Sequence, residues 1–404
     1  MKQATTGNAG PKVRSDIEIT LIITDNGGVD LEIKSKVKSM YGTAIEKQCR
    51  ELLHHFGVKN ARLILNDSGA LPFVIAARVE AAVRALTATE VSFMPEMIAE
   101  NRYLSSRERF RFSRLYLPGN SPGMFLNAGL HSPDGIILDL EDSVAPDRKD
   151  EARILVRNAL RAVNFYGAER MVRINQGERG LEDLEYVIPH NVHLVLIPKC
   201  ENAQTVIRVD EKIRAIKKAA GQTEEVFLMP IIESAAGVEK AYETATASSS
   251  VVAMAIGLED YTADLGVQRT KEGSESLYAR SRIVVAAKAA GIQPIDSVFS
   301  DVGDMEGLLA NVISSKAMGF EGMGCIHPRQ IAVIRHGFSP SDDETERAKK
   351  IVLAYRDALA RGLGVVALGS KMIDPPVVAR AEKTIMLAVR LGLLPEDWAE
   401  AEAK

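Results

Sequence analysis

From Arg114 onward the chain repeats one rhythm. RLYLPG, GIILDLED, RMVRINQ, HLVLIPK, VFLMPIIE, VVAMAIG, QPIDSVF and GMGCIHP are short apolar runs of strand length. Segments with helical spacing separate them, among them KDEARILVRNALRAV, AQTVIRVDEKIRAIKKAA and YARSRIVVAAKAAG. Eight strand–helix units in about 220 residues have the size and order of a (β/α)8 barrel. An open doubly wound sheet also alternates strands and helices, but no strand here is followed by a glycine-rich dinucleotide turn. The expected fold is therefore α/β, a TIM barrel over residues 111–338.

The flanks read differently. Residues 1 to about 13 are polar and are expected to be disordered. IEITLI, VDLEIKS, ARLILND and FVIAARV then alternate like half-buried strands, with TDNGGV as a hairpin turn between the first two. TAIEKQCRELLHHFG places Ile45, Cys49, Leu52, Leu53 and Phe56 on one helical face and stops at Gly57. RVEAAVRAL closes this region as a second helix. Residues 1–88 thus form a small α+β domain and 89–110 a linker, whose basic cluster (Arg102, Arg107 and Arg109, with Arg111 just beyond) reads as a solvated face. After the barrel, residues 339–404 carry a capping box from Ser341 to Glu344, a long amphipathic helix, an extended VVALGSKMID arm and a last helix opened by prolines. A closed barrel has no use for such a tail, so it is expected to pack on a neighbouring subunit.

The stretch Val226 to Gly266 locates the chemistry. Strand, helix and strand of this length make a parallel βαβ crossover, and ligands collect at the carboxyl ends of such strands. Glu233 and Asp260 should then stand side by side at one rim. Two close carboxylates repel unless a proton or cation lies between them, and a hard divalent ion such as Mg²⁺ suits oxygen donors. A helix cap is the alternative for either. The same rim gathers Arg114, Asp139, Glu141, Asp142, Arg173, Asn175, Gln176, Lys199, Glu259, Asp296 and His327. Arg173, inside an apolar strand, is costly to bury unless paired, and reads as a contact for an anionic substrate or as a structural bridge to Asp139 or Glu141. Mixed acidic and basic groups at one face suit a metal with an anionic oxo-acid.

Composition excludes other classes. A net charge of −4 argues against a nucleic-acid surface. No apolar run approaches the roughly 18 residues of a membrane span, and the start lacks a secretory core. Three scattered cysteines without a CxxC suit a reducing cytoplasm.

RLYLPGNSPGM, GIILDLEDSVAPDRKDEAR, VRIN, IPK, MPIIESAAGV, GLEDYTADLGV and GSKMIDPP together resemble the HpcH/HpaI aldolase superfamily. Within it the likeness is to the citrate lyase β-subunit branch with malyl-CoA and citramalyl-CoA lyases, over about residues 107 to 392. DIEITL, YGTAIEKQCRELLHHFGVKNARL and DSGALPFVIAARVEAAVRA resemble the citrate lyase acyl carrier protein, the γ subunit, over residues 9 to 86. The resemblance implies a Mg²⁺-dependent lyase that cuts a citryl-, citramalyl- or malyl-type 3-hydroxy-acyl thioester, on CoA or a carrier, into an acetyl thioester and a 2-oxo acid. Glu233 and Asp260 match metal ligands, with Glu233 also at the substrate. Arg114 and Arg173 match substrate-binding positions, Arg173 with a part in catalysis. Asp374 matches a catalytic aspartate that reaches into a neighbouring subunit, which implies a homo-oligomer, a trimer or a multiple of one. A citrate lyase α subunit is a further implied partner.

One departure concerns the carrier. Its prosthetic-group serine follows a glutamate in a Glu-Ser-(Ser/Gly)-Asp stretch, whereas this chain has Val13-Arg14-Ser15-Asp16. Either Ser15 takes the phosphoribosyl-dephospho-CoA one place over, or the domain is unloaded and the lyase uses free acyl-CoA; the second is the expectation. Two rivals remain, a class II aldolase for free hydroxy-oxo acids and a non-catalytic subunit of a citrate-lyase-like complex.

Overall fold

The polar start, expected to be disordered, instead forms strand β1 (Gln3–Thr6). It pairs antiparallel with β2 (Ile17–Ile23), from Gln3 opposite Ile22 to Thr6 opposite Ile19. Alternation was too short to mark it, but a β2 edge left bare would expose unpaired backbone groups. With β3 (Val29–Ser35) and β4 (Ala61–Asp67) the sheet order is β1-β2-β4-β3. β4 lies between β2 and β3, antiparallel to the first and parallel to the second. The TDNGGV turn therefore makes no hairpin; it carries the chain past the end of β4. Helix α1 (Lys38–His55) buries Ile45, Cys49, Leu52 and Leu53, and the chain leaves it at Gly57 with φ +71°.

The expected fourth strand, FVIAARV, is instead the first half of helix α2 (Pro72–Leu86). Every residue from Phe73 to Val83 is buried, because α2 packs on β1 and β2, on α1 and on the barrel helix Lys149–Ala162. Buried all round, with even Arg78 and Glu80 inside, it lacks the one-sided stripe that distinguishes a helix from a buried strand.

The computed structural model describes residues 2–362, 364–368 and 371–401. Its second sheet contains β5 (Ser113–Pro118), β6 (Gly135–Asp139), β7 (Glu169–Arg173), β8 (Leu194–Ile197), β9 (Phe227–Ile232), β10 (Ala253–Ile256), β11 (Gln293–Ile295) and β12 (Met323–Cys325), all parallel. β12 pairs with β5, and a parallel bridge from Asp296 to Met323 closes the barrel. Alternate residues turn inward, among them Leu194 and Leu196, Phe227, Met229 and Ile231, and Ala253 and Ala255. They fill the axis with apolar side chains, as short parallel strands require.

Of the arginines expected on a solvated face, Arg109 is half-buried and Arg111 buried, and exposed Arg107 is engaged as well. Arg107 donates to Ser249 O and Val251 O, Arg109 to Gly167 O, and buried Arg111 pairs with Glu169 at 2.7 Å. They tie the connecting segment to the amino ends of the barrel strands.

The contact pattern separates Met1–Ile331 from Ala332–Lys404. In the second unit, helix Asp342–Ala360 starts at the Ser341–Glu344 capping box. β13 (Val366–Leu368) pairs antiparallel with β14 (Lys371–Ile373), and helix Pro375–Arg390 follows. Ile351, Val352, Ile373, Val378, Ile385 and Trp398 form its core. Gly369 and Ser370 of GSKMIDPP lie outside the described residues. Cys49, Cys200 and Cys325 are free and buried. Among the described residues no helix is long and apolar enough to cross a membrane.

Candidate active site

A cavity of about 650 Å³ opens at the carboxyl ends of the barrel strands and is lined by Arg114, Asp139, Arg173, Glu233 and Asp260, among others. Glu233 follows the last residue of β9. It is 6% exposed, and its Oε2 accepts the Lys199 backbone N–H at 2.8 Å. Gly257, just after β10, leaves it room: a Cβ there would come within 2.4 Å of Glu233 Oε1. Burial pushes the Glu233 carboxyl up to about 7, helped by the charges of Asp260 and Glu141, against the Lys199 amide and Arg173.

Asp260 sits in the first turn of helix Leu258–Leu265. Neither carboxylate is a cap. Ser234 caps helix Ala235–Glu239 through Gly237 N, and Gly257 precedes the other. Lys199 Nζ lies 3.4 Å from Asp260, 3.5 Å from Asp142 and 3.7 Å from Glu141. Those carboxylates outweigh burial and raise its pKa. Lys199 also holds φ +45°, a left-handed conformation costly for a side chain with a Cβ, and this places its N–H against Glu233.

Arg173 ends β7 and is already paired. Its Nε and Nη2 donate to the two oxygens of Asp139 at 2.6 and 2.8 Å, and Nη1 lies 2.9 Å from Glu141 Oε2. Burial lowers its pKa, but Asp139 more than reverses that. Arg114 is the contrast. It is 1% exposed, has no ion pair among the described residues, contacts Met229 Sδ at 3.1 Å through Nη1, and leaves Nε without a partner. Burial pushes its pKa down. A buried cation facing a cavity is unstable unless an anion joins it.

Other rim residues take structural roles. Asp296 pairs with Arg280 and Ser315, exposed Glu259 with Arg269, and Asn175 with Asp183 and Lys149. Gln176 donates to Glu141 Oε1 at 2.8 Å, and His327 Nδ1 accepts the Arg329 N–H in a turn. Ser15 lies in the N-terminal domain at φ +56°, its N–H bonded to Ser68 O. Asp374, in the second unit, caps helix Pro375–Arg390, its Oδ1 accepting the Val377 N–H at 3.2 Å. Sequence reading passed over Gly257 and Lys149. The glycine in AIGLED was visible, but the side chain it spares comes from the preceding strand.

The donor set fits Mg²⁺. Among the described residues no three His, Cys, Asp or Glu side chains group tightly enough to hold a metal alone. Mg²⁺ commonly takes one or two carboxylates and completes its shell with water and substrate oxygens, which suits two carboxylates facing a cavity.

The HpcH/HpaI aldolase/citrate lyase family model matches residues 113–328, and the malonate decarboxylase delta subunit model, of acyl-carrier type, matches residues 3–86. Citrate lyase subunit beta of Haemophilus influenzae is 40% identical over 291 residues, covering 71% of this chain and 100% of that protein. Human mitochondrial citramalyl-CoA lyase is 32% identical over 325 residues, covering 77% of this chain and 96% of that protein. The crystal structure of CitE from Mycobacterium tuberculosis with magnesium, acetoacetate and coenzyme A superposes with a TM-score of 0.60 at 31% identity, covering 70% of this chain and 99% of that one.

Proposed function

The chain belongs to the HpcH/HpaI aldolase/citrate lyase family, and from that membership and its rim geometry we propose that it is a Mg²⁺-dependent carbon–carbon lyase. It cleaves a 3-hydroxy-acyl thioester of citryl, citramalyl or malyl type into an acetyl thioester and a 2-oxo acid. The observation that carries this reading is the pair Glu233, just past β9, and Asp260, in the helix turn that follows neighbouring β10, facing a cavity that also presents Arg114.

Glu233 and Asp260 would hold the ion, which would supply charge neutralisation and Lewis-acid polarisation for the oxo-acid half. Arg114, whose Nε has no partner and which forms no ion pair among the described residues, takes an anionic group of the substrate. Arg173, fixed by Asp139 and Glu141, orients the same half. In cleavage the hydroxyl proton passes to water in the open cavity as the carbonyl of the 2-oxo acid forms, and the electron pair of the broken carbon–carbon bond moves onto the thioester half as an enolate. Asp374 of a neighbouring subunit returns a proton to that carbon.

Residues 1–88, 89–110, 111–338 and 339–404 act as carrier-like domain, linker, lyase barrel and inter-subunit extension. The first is a fixed scaffold in which Ser15 carries no phosphoribosyl-dephospho-CoA, so the substrate is a free CoA thioester. Two features support this. Arg14 stands at the attachment position, and buried ion pairs clamp the domain to the barrel, Arg157 to Glu80 at 2.7 Å and Arg78 to Glu151 at 3.3 Å. Intact-mass measurement after expression with a citrate lyase maturation system tests it; an added mass lost in Ser15→Ala overturns it. The assembly is a homo-oligomer of trimeric type in the cytoplasm, where three free buried thiols stay reduced.

The deciding assay is incubation of the purified chain with citryl-CoA, citramalyl-CoA and malyl-CoA, with and without Mg²⁺. Cleavage of at least one, abolished by chelation, is expected. No cleavage of any by folded protein sinks the proposal.

A further inference from the structure

The N-terminal domain brings a cationic loop to the mouth of the cavity, and we propose that Lys12, Arg14 and Lys36 form a phosphate-binding edge for the nucleotide end of the CoA thioester. The inference rests on the lyase reading above and adds a site on a domain outside the barrel.

The loop is anchored to the rim. Asp16 accepts Arg78 Nε and Nη2 at 3.0 and 2.9 Å. The same guanidinium continues to Asn120 Oδ1 at 2.9 Å and Asn120 O at 3.2 Å, two residues past β5. The Arg14 carbonyl lies directly over Gly123, where an added Cβ would stand 2.7 Å from its oxygen. Gly123 and Met124 line the cavity and are exposed, so they are part of its mouth. Arg14 is thus seated against the entrance by a backbone contact that only glycine permits.

The cations are free for a ligand. Arg14, Lys12 and Lys36 are exposed, and none pairs with a carboxylate among the described residues. Lys36 Nζ is held over the same loop, 3.4 Å from Gly10 O and 3.3 Å from Val13 O. The acidic groups of this region are already used. Asp16 is taken by Arg78, and Asp67 by Ser35 Oγ and the Gly69 and Ala70 amides. In a chain of net charge −4, three unpaired cations on one edge are not a share of general excess.

Size supplies the other half. A cavity of about 650 Å³ accommodates an ordinary small molecule, here the hydroxyacyl and thioester end. The phosphorylated nucleotide end extends beyond the mouth, where a guanidinium offers paired donors and lysines offer point charges.

The test compares a CoA thioester with the matching pantetheine thioester, which lacks the nucleotide. Arg14→Glu should raise KM for the CoA thioester about tenfold or more, a loss typical of charge-assisted hydrogen bonds. It should leave kcat and the pantetheine thioester kinetics unchanged. Arg14→Lys should keep most of the affinity, and Lys12→Glu and Lys36→Glu should each act in the same direction. Calorimetric titration of CoA itself should show the same weakening without turnover. Unchanged CoA affinity in Arg14→Glu, or an equal loss toward both thioesters, overturns the phosphate edge. If wild-type protein cleaves neither thioester, the lyase reading falls instead, while the CoA titration still decides the edge on its own.

Discussion

Glu233 and Asp260 show how far single residues were legible. A carboxylate closing each of two consecutive apolar runs was readable, because strand ends in a parallel barrel share one rim. The environment that sets Glu233's chemistry was not, since it comes from a Lys199 amide in a left-handed conformation and from the bare backbone of Gly257. Replacing either carboxylate should remove metal binding. Glu233→Gln and Asp260→Asn are each expected to lose at least ~100-fold in turnover, the upper end of the loss seen when only a ligand's outer partner is removed. Calorimetric Mg²⁺ titration should lose its heat in parallel; retained binding would exclude the pair as ligands. Stability carries a second signature. The Glu233 carboxyl rises from 4.5 to about 7 on folding, so between those values the native state holds the extra proton. Stability contributed by this group is therefore lost as pH climbs through that window. The loss is on the order of 3 kcal/mol at full ionisation. With a chelator present, the melting temperature of the wild type should fall from pH 5 to pH 8 relative to Glu233→Gln. Parallel pH profiles would count against a strained carboxyl.

Elements were read well where one face is apolar and the other solvated, and poorly where every face is buried. α1 and the barrel strands announce themselves by periodicity, and the Ser341–Glu344 capping box by local chemistry. α2 does not, because it is wedged between the N-terminal sheet and helix Lys149–Ala162, and polar Arg78 and Glu80 are buried with the rest. Those two residues carry much of its docking. Glu80 accepts Arg157 Nη1 and Nη2 at 2.9 and 2.7 Å, and the Phe93 N–H at 3.0 Å. Burial raises the Glu80 pKa, but Arg157 more than reverses it, so the pair is ionised. Glu80 keeps a second, partly exposed cation in Arg84, whose Nε lies 3.0 Å from Oε1, so removing Arg157 strands its charge only in part. Arg157→Met should thus cost about 1.5–3 kcal/mol in urea unfolding, the loss of a charge-assisted hydrogen-bonded contact. Adding Glu80→Gln should recover part of it, since a neutral amide oxygen still accepts the Phe93 N–H. A loss below about 1 kcal/mol in the single variant would show the pair to be solvated in solution.

At the scale of the whole molecule, the order of carrier-like domain, barrel and tail was legible because each has its own rhythm. The connecting arginines were misread, since a cation that binds backbone carbonyls at the barrel floor looks in sequence like one that faces water. The tail poses the sharpest remaining question. Asp374 caps helix Pro375–Arg390 through Oδ1, which accounts for an aspartate before two prolines by local chemistry alone. Capping engages one carboxylate oxygen with one N–H, however, and leaves the group able to carry a proton elsewhere. The two roles separate by substitution. Asparagine caps as well as aspartate, so Asp374→Asn keeps the helix and should retain activity if the cap is the whole function. If Asp374 protonates the enolate in a neighbouring subunit, the same change should cut turnover roughly 10²-fold or more with little change in melting temperature. Asp374→Ala should lower both. Mixing Asp374→Asn subunits with Glu233→Gln subunits then decides where the acid acts. In a shared site some interfaces pair an intact metal centre with an intact Asp374, and activity should return as subunits exchange. If exchange is demonstrated by mass and no activity returns, the acid belongs to its own chain or the reaction does without it.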